Sequence, residues 1–281
     1  MKKLFLLAVL IISASIAVGQ GTVACCGSPS STQQFAMLAS SAKFRASHIK
    51  PLKLSFRSTI GTAITYKTPD GKQAHAYLLK RKKPTKNYLL VIHEWYGLND
   101  YVKREAERIF NSLGNTNVIA LDLYDGKVAD NSDDAGKYMQ AVVESRAQAI
   151  IKGAIAYTGP KAHIATLGWC FGGGWSLQSS LLAGKQAVAC VMYYGMPEQD
   201  VNRLKMLHTD VLGNFANKDQ WINPKVVGQF AADMAKAGKK LYLHQYDADH
   251  GFANPSNPAY DSDATKDAYA NTIKFLKARL K

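Results

Sequence analysis

Gly168-Trp169-Cys170-Phe171-Gly172-Gly173-Gly174 has the form Gly-x-Cys-x-Gly, with an apolar run before it and a helical pattern after it. Ala162 to Leu167 reads as a buried strand, and Gly174 through Trp175, Leu177, Leu181 and Leu182 reads as a helix. A tight strand-to-helix turn places its central side chain at the top of a sheet, on a helix N-terminus. Glycines two residues to either side let the chain double back without a clash. The helix N-terminus favours negative charge, which suits a thiolate or an oxyanion. This is the spacing of a nucleophile elbow, with sulfur where a hydroxyl is usual. The plainer reading is a glycine-rich turn with a buried cysteine.

Around the elbow, strand and helix patterns alternate, which predicts a mostly parallel central sheet with helices on both faces. Strands are expected at 88–92, 117–123, 187–194, 210–215 and 240–246, and helices at 100–113, 135–157, 223–237 and 260–280. Upstream, 58–67 alternates like a strand, Thr68-Pro69-Asp70-Gly71 is a turn signal, and Ala74 to Leu79 makes the return strand of an N-terminal β-hairpin.

The chain has 281 residues, of which 47% are hydrophobic, enough for one large α/β domain. Its formal charge of +14 is spread along the sequence, with one short cluster at Lys80-Arg81-Lys82-Lys83. No nucleic-acid-binding motif accompanies it, so the charge reads as a solvated surface and no nucleic-acid partner is expected. Lys2 and Lys3, the apolar stretch Leu4 to Ile12 and the small residues after it read as an export signal over 1–19. Cleavage after Gly19 would leave Gln20 first; Thr22-Val23-Ala24-Cys25 offers lipid attachment at Cys25 as the alternative. Either predicts an exported protein, periplasmic or membrane-anchored. Residues 20–51, rich in Ser, Ala and Gln, are expected to form a leader lying loosely on a domain of residues 52–281. Cys25 and Cys26 fall outside the core and Cys190 reads as a buried, inert thiol. No Cys/His spacing points to zinc, and no cofactor or metal is expected.

In α/β-hydrolases the triad follows the order nucleophile, acid, histidine. His250, in Asp247-Ala248-Asp249-His250-Gly251-Phe252 just past the last strand, is where that fold presents its base. Asp219, in the loop after the preceding strand, is the best acid, with Asp247 and Asp249 as alternatives. His244 reads as structural; His48, His75, His163 and His208 have no comparable placement.

Cys170 in its elbow, His93-Glu94-Trp95-Tyr96-Gly97-Leu98-Asn99-Asp100, Tyr193-Tyr194-Gly195, Asp219 and His250-Gly251-Phe252 together resemble the dienelactone hydrolase family over residues 58 to 280. The resemblance implies an α/β-hydrolase fold, a Cys170–His250–Asp219 triad and a small-molecule ester or lactone substrate. It also implies a role for Glu94 in controlling the thiol's protonation, and an oxyanion hole from the backbone N–H groups of Trp95 and Phe171. One position departs from it. Family members that take the dienelactone anion carry an arginine just after the histidine, and Asn254 stands there instead. Asparagine offers hydrogen bonds but no charge, so a neutral substrate is expected unless Lys127 or Lys218 supplies a cation. Two rival readings are a non-catalytic binding protein on the same scaffold and a thiol redox role for Cys170.

Overall fold

The computed structural model describes residues 29–281; the export signal, Cys25 and Cys26 lie outside the described residues. In chain order the elements are α1 (Ser31–Met37), α2 (Ala42–Ala46), β1 (Gly61–Lys67), β2 (Gln73–Leu79), β3 (Asn87–Ile92), α3 (Asp100–Leu113), β4 (Asn117–Leu121), α4 (Ser132–Gln140) and α5 (Glu144–Thr158). They continue with β5 (His163–Trp169), α6 (Phe171–Ala183), β6 (Ala187–Tyr193), α7 (Val201–Lys205), β7 (Val211–Ala216), α8 (Pro224–Lys236), β8 (Leu241–Tyr246) and α9 (Ser262–Arg279).

The strands form one sheet in the order β1-β2-β4-β3-β5-β6-β7-β8. β2 runs antiparallel to both of its neighbours, and β3 to β8 are mutually parallel. β1 and β2 pair from Gly61 opposite Leu79 to Lys67 opposite Gln73, across the expected turn. β3, β4 and β7 are buried almost throughout, as strands covered on both faces must be. Because the strands are parallel, the loops leaving β3, β5, β6, β7 and β8 gather at one edge of the sheet, where open α/β sheets place their ligands.

Two expectations need correction. The helix read over 135–157 is two helices. Val142 and Val143 are β-branched and poor helix formers, Val143 is extended, and Glu144 starts α5 where a negative charge meets the helix dipole. From Ser30 onward the leader is not loosely attached. Ser30 and Gln33 form a reciprocal capping box on α1, and the Ser41 side chain caps α2. These two short helices and the turn between them bury Phe35, Ala39 and Phe44 in the main core. Among the described residues, no helix is long and apolar enough to cross a membrane.

Candidate active site

The elbow sits between β5 and α6. A Cβ on Gly168 would lie 2.1 Å from the carbonyl oxygen of Gly172, and one on Gly172 would lie 2.4 Å from the carbonyls of Ile92 and His93. Only hydrogen fits at either position, so the two glycines let α6 start hard against β3. Cys170 has φ 54° and ψ −119°, a strained conformation for a residue with a side chain, costing about 1–3 kcal/mol. The surrounding contacts hold it: the Cys170 N–H donates to the Tyr193 carbonyl, and the Gly173 N–H to the Cys170 carbonyl.

The loops after β7 and β8 bring Asp219 and His250 to this thiol. His250 Nε2 lies 3.3 Å from Cys170 Sγ, and His250 Nδ1 donates to Asp219 Oδ2 at 2.6 Å. The other carboxylate oxygen of Asp219 accepts the N–H groups of Trp221 and Ile222 at 2.8 and 2.9 Å. All three side chains are buried. Burial alone would raise the Asp219 pKa, but the His250 charge and these hydrogen bonds hold it below the usual carboxylate range. Burial disfavours a charged His250, yet the Asp219 carboxylate and the Cys170 sulfur outweigh that and make it a stronger base. Burial pushes the Cys170 thiol up; His250 opposes the shift and Glu94 adds to it. Asp247 pairs instead with exposed Lys218, away from the imidazole.

His93 fixes the loop after β3. Its Nδ1 donates to the Glu94 carbonyl at 2.5 Å and its Nε2 accepts the Leu123 N–H at 3.1 Å. Glu94 is thereby set beside the thiol without bonding it. Its carboxylate accepts the Tyr194 hydroxyl at 3.2 Å and the Asn254 side-chain amide. Burial raises the Glu94 pKa to about 7, against the His250 charge and these two donors. Asn254 is engaged at both polar atoms: its oxygen takes the Ser256 N–H and hydroxyl while its nitrogen holds Glu94. Neither alternative cation is bound to the thiol or its partners; Lys218 joins Asp247 and Lys127 lies over the Tyr138 ring. Phe171 opens α6, so its N–H has no partner four residues back in the helix. The Trp95 N–H meets no acceptor among the described residues. Cys190 contacts Ser176 Oγ at 3.6 Å in the core.

His48 is the residue that the sequence reading placed wrongly. Its Nε2 lies 3.9 Å from Cys170 Sγ, and its ring centroid is 5.3 Å from that of His250 and 4.6 Å from that of Trp95. His48 Nδ1 donates to the Phe44 carbonyl at 2.7 Å, closing the turn after α2. Burial, with the His250 charge adding to it, brings the His48 pKa down to about 3, so the ring is neutral at ordinary pH. Phe44 meets Trp95 and Trp221 edge to face, and Phe35 stacks toward His250. The Tyr96 hydroxyl lies 2.8 Å from the carbonyls of His48 and Ile49. Together these groups roof the thiol, which is 2% exposed beside a free space of about 10 Å³, room for one water.

An eight-stranded, mostly parallel sheet carrying a cysteine elbow, an aspartate and a histidine in that chain order defines an α/β-hydrolase. A model of the dienelactone hydrolase family matches residues 74–280. The chain belongs to that family and is by membership a hydrolase of ester or lactone bonds. It is 30% identical over 205 residues to Protein usf of Aquifex pyrophilus, spanning 68% of this chain and 88% of that one. It is 31% identical over 115 residues to a carboxymethylenebutenolidase of a Pseudomonas species, 41% of this chain and 47% of that one. Among solved structures, a dienelactone hydrolase-like promiscuous phosphotriesterase from metagenomic libraries superposes with a TM-score of 0.66 at 17% identity, covering 79% of this chain and all of that one. The family match begins at Ala74, so α1, α2 and His48 precede it.

Proposed function

We propose that the chain is an exported hydrolase that opens neutral esters or lactones through a thioester at Cys170. The observation that carries this reading is the unbroken line of contacts from Asp219 through His250 to Sγ, at 2.6 and 3.3 Å. In the proposed cycle His250 Nε2 takes the thiol proton as Sγ attacks the carbonyl carbon. The N–H groups of Trp95 and Phe171 stabilise the oxyanion, each by about 3 kcal/mol. Collapse of that intermediate expels the alcohol, which receives the proton from His250. Water, deprotonated by His250, then attacks the thioester, releases the acid and restores the thiol. Substrate reaches Sγ only when the roof formed by Phe44 and His48 moves aside. Export is supported by the basic, apolar and small-residue pattern of 1–19. The preference for neutral substrates is supported by Asn254, whose polar atoms are occupied by Glu94 and Ser256.

Treating the protein with an activated aryl ester and digesting it should place one acyl group on the peptide carrying Cys170. Turnover with no acyl adduct on that peptide under rapid quenching would refute the thioester.

Glu94 gives a second, independent check. Its pKa of about 7 makes it largely anionic above neutrality, and its charge opposes thiolate formation at Cys170. Glu94→Gln removes that charge, so alkylation of Cys170 by iodoacetamide should run about 2- to 10-fold faster at pH 8, its pH profile moving to lower pH. A profile displaced to higher pH would show that Glu94 promotes the thiolate instead.

A further inference from the structure

Three potential metal ligands converge where the roof meets the elbow. His48 Nε2, Cys170 Sγ and His250 Nε2 all lie within 4.8 Å of one another and all three side chains are buried. The two sulfur–nitrogen separations are 3.3 and 3.9 Å. A tetrahedral zinc ion with bonds of about 2.3 Å to sulfur and 2.0–2.1 Å to nitrogen needs such edges to be about 3.5 Å, which both sulfur–nitrogen separations approach to within a few tenths of an ångström; the nitrogen–nitrogen edge, within 4.8 Å, would close to about 3.3 Å.

Both imidazoles are also oriented as metal ligands. A carbonyl can only accept, so the bond to Phe44 puts the His48 proton on Nδ1 and turns the Nε2 lone pair toward the sulfur. Asp219 fixes His250 in the same way through its Nδ1. A carbonyl or carboxylate behind each ligating histidine is the usual support in metal sites. The free space of about 10 Å³ beside these atoms leaves room for one water as a fourth ligand.

We propose that His48, Cys170 and His250 form a binding site for a borderline-soft divalent cation, zinc above all, and that the bound ion holds the N-terminal segment shut over the thiol. One thiolate and two imidazoles suit zinc and disfavour magnesium or calcium, which require oxygen ligands. Binding forms a zinc–sulfur bond and breaks the S–H bond, the proton passing to buffer; nothing is oxidised or reduced. The ion competes with substrate because it occupies the nucleophile and its base. The site builds on the catalytic reading of Cys170 and His250, but binding of the ion does not require that either residue be catalytic, so the two can fail separately.

Calorimetric titration of the full mature chain, stripped with chelator and dialysed, with zinc chloride tests this directly. The wild type should take up one equivalent. His48→Phe keeps an aromatic ring against Phe44 and Trp95 but removes the nitrogen, and should weaken binding by at least about 100-fold. His48→Cys restores a soft ligand and should stay within about tenfold of the wild type. Cobalt(II) should give a thiolate charge-transfer band with the wild type and His48→Cys that is lost in Cys170→Ser. If His48→Phe does not fold, judged by thermal melting, His48→Gln takes its place. No one-equivalent binding by the wild type, unchanged affinity in the variant lacking the nitrogen, or a cobalt complex without the thiolate band would each overturn the site. Zinc binding without ester hydrolysis would leave it standing and remove the catalytic reading.

Discussion

Cys170→Ala should lower kcat on an activated aryl ester by about 10⁵- to 10⁶-fold, a loss of roughly 7–8 kcal/mol of barrier reduction. The size follows from the way the site acts as a unit: without sulfur, His250 has no proton to take and Asp219 nothing to orient. The fold should survive, for two local reasons. Alanine occupies the left-handed elbow conformation no worse than cysteine, so the strain at φ 54° is unchanged. The exchange of a thiol for a hydrogen leaves the hydrogen bond from residue 170 to the Tyr193 carbonyl in place. Thermal melting close to wild type together with the collapse of kcat is the expected pair of results. Activity above about a tenth of wild type would take the nucleophile's role away from Cys170. Cys170→Ser should also be poor, because a hydroxyl ionises far less readily than a thiol and Glu94 further opposes an anion there.

The parts of this site that were readable from sequence are those whose position follows from strand ends. In a parallel sheet, every strand delivers its next loop to the same edge, so an elbow after β5 and loops after β7 and β8 must converge. Cys170, Asp219 and His250 are placed by that rule. Glu94 and Trp95 follow β3 under the same rule, while their roles came from resemblance. Asn254 was legible as a missing charge but not as the donor that holds Glu94, since that bond depends on how the loop after β8 folds back.

His48 was illegible for the opposite reason. It lies 122 residues from Cys170 on a segment outside the sheet, and no periodicity links the two. Composition also misled: a stretch rich in Ser, Ala and Gln reads as a loose leader, yet Ser30 and Ser41 are helix caps and its two phenylalanines are anchors. The capping pattern Ser30-x-x-Gln33 and the spacing of Phe35 and Phe44 were the signals available. The physical consequence is a hydrolase whose family match begins at Ala74 and whose roof includes Phe35, Phe44 and His48 from before it. Access, and by our proposal ion binding, therefore depend on a segment that the matched portion of the chain does not contain.

Asp219→Asn should reduce kcat by about 10⁴-fold while leaving the geometry nearly intact. The carboxylate serves two masters. Oδ1 accepts the N–H groups of Trp221 and Ile222 at 2.8 and 2.9 Å, and Oδ2 accepts His250 Nδ1 at 2.6 Å. An asparagine must keep its single oxygen on the two backbone donors, since turning the amide over would set its NH₂ against both of them and leave those buried N–H groups unpaired. Its NH₂ then faces His250 Nδ1 and donates to it. The imidazole must carry its proton on Nε2, the nitrogen 3.3 Å from sulfur, and can no longer receive one from the thiol. The same change removes the charge that raises the His250 pKa, so the acid limb of any residual rate–pH profile should move to lower pH. Asp219→Ala separates orientation from charge: it frees the ring to take either tautomer, so it should be less damaging than the asparagine provided the loop keeps its shape by thermal melting. An asparagine variant within tenfold of wild type would mean that Asp219 caps its loop and does not orient the base.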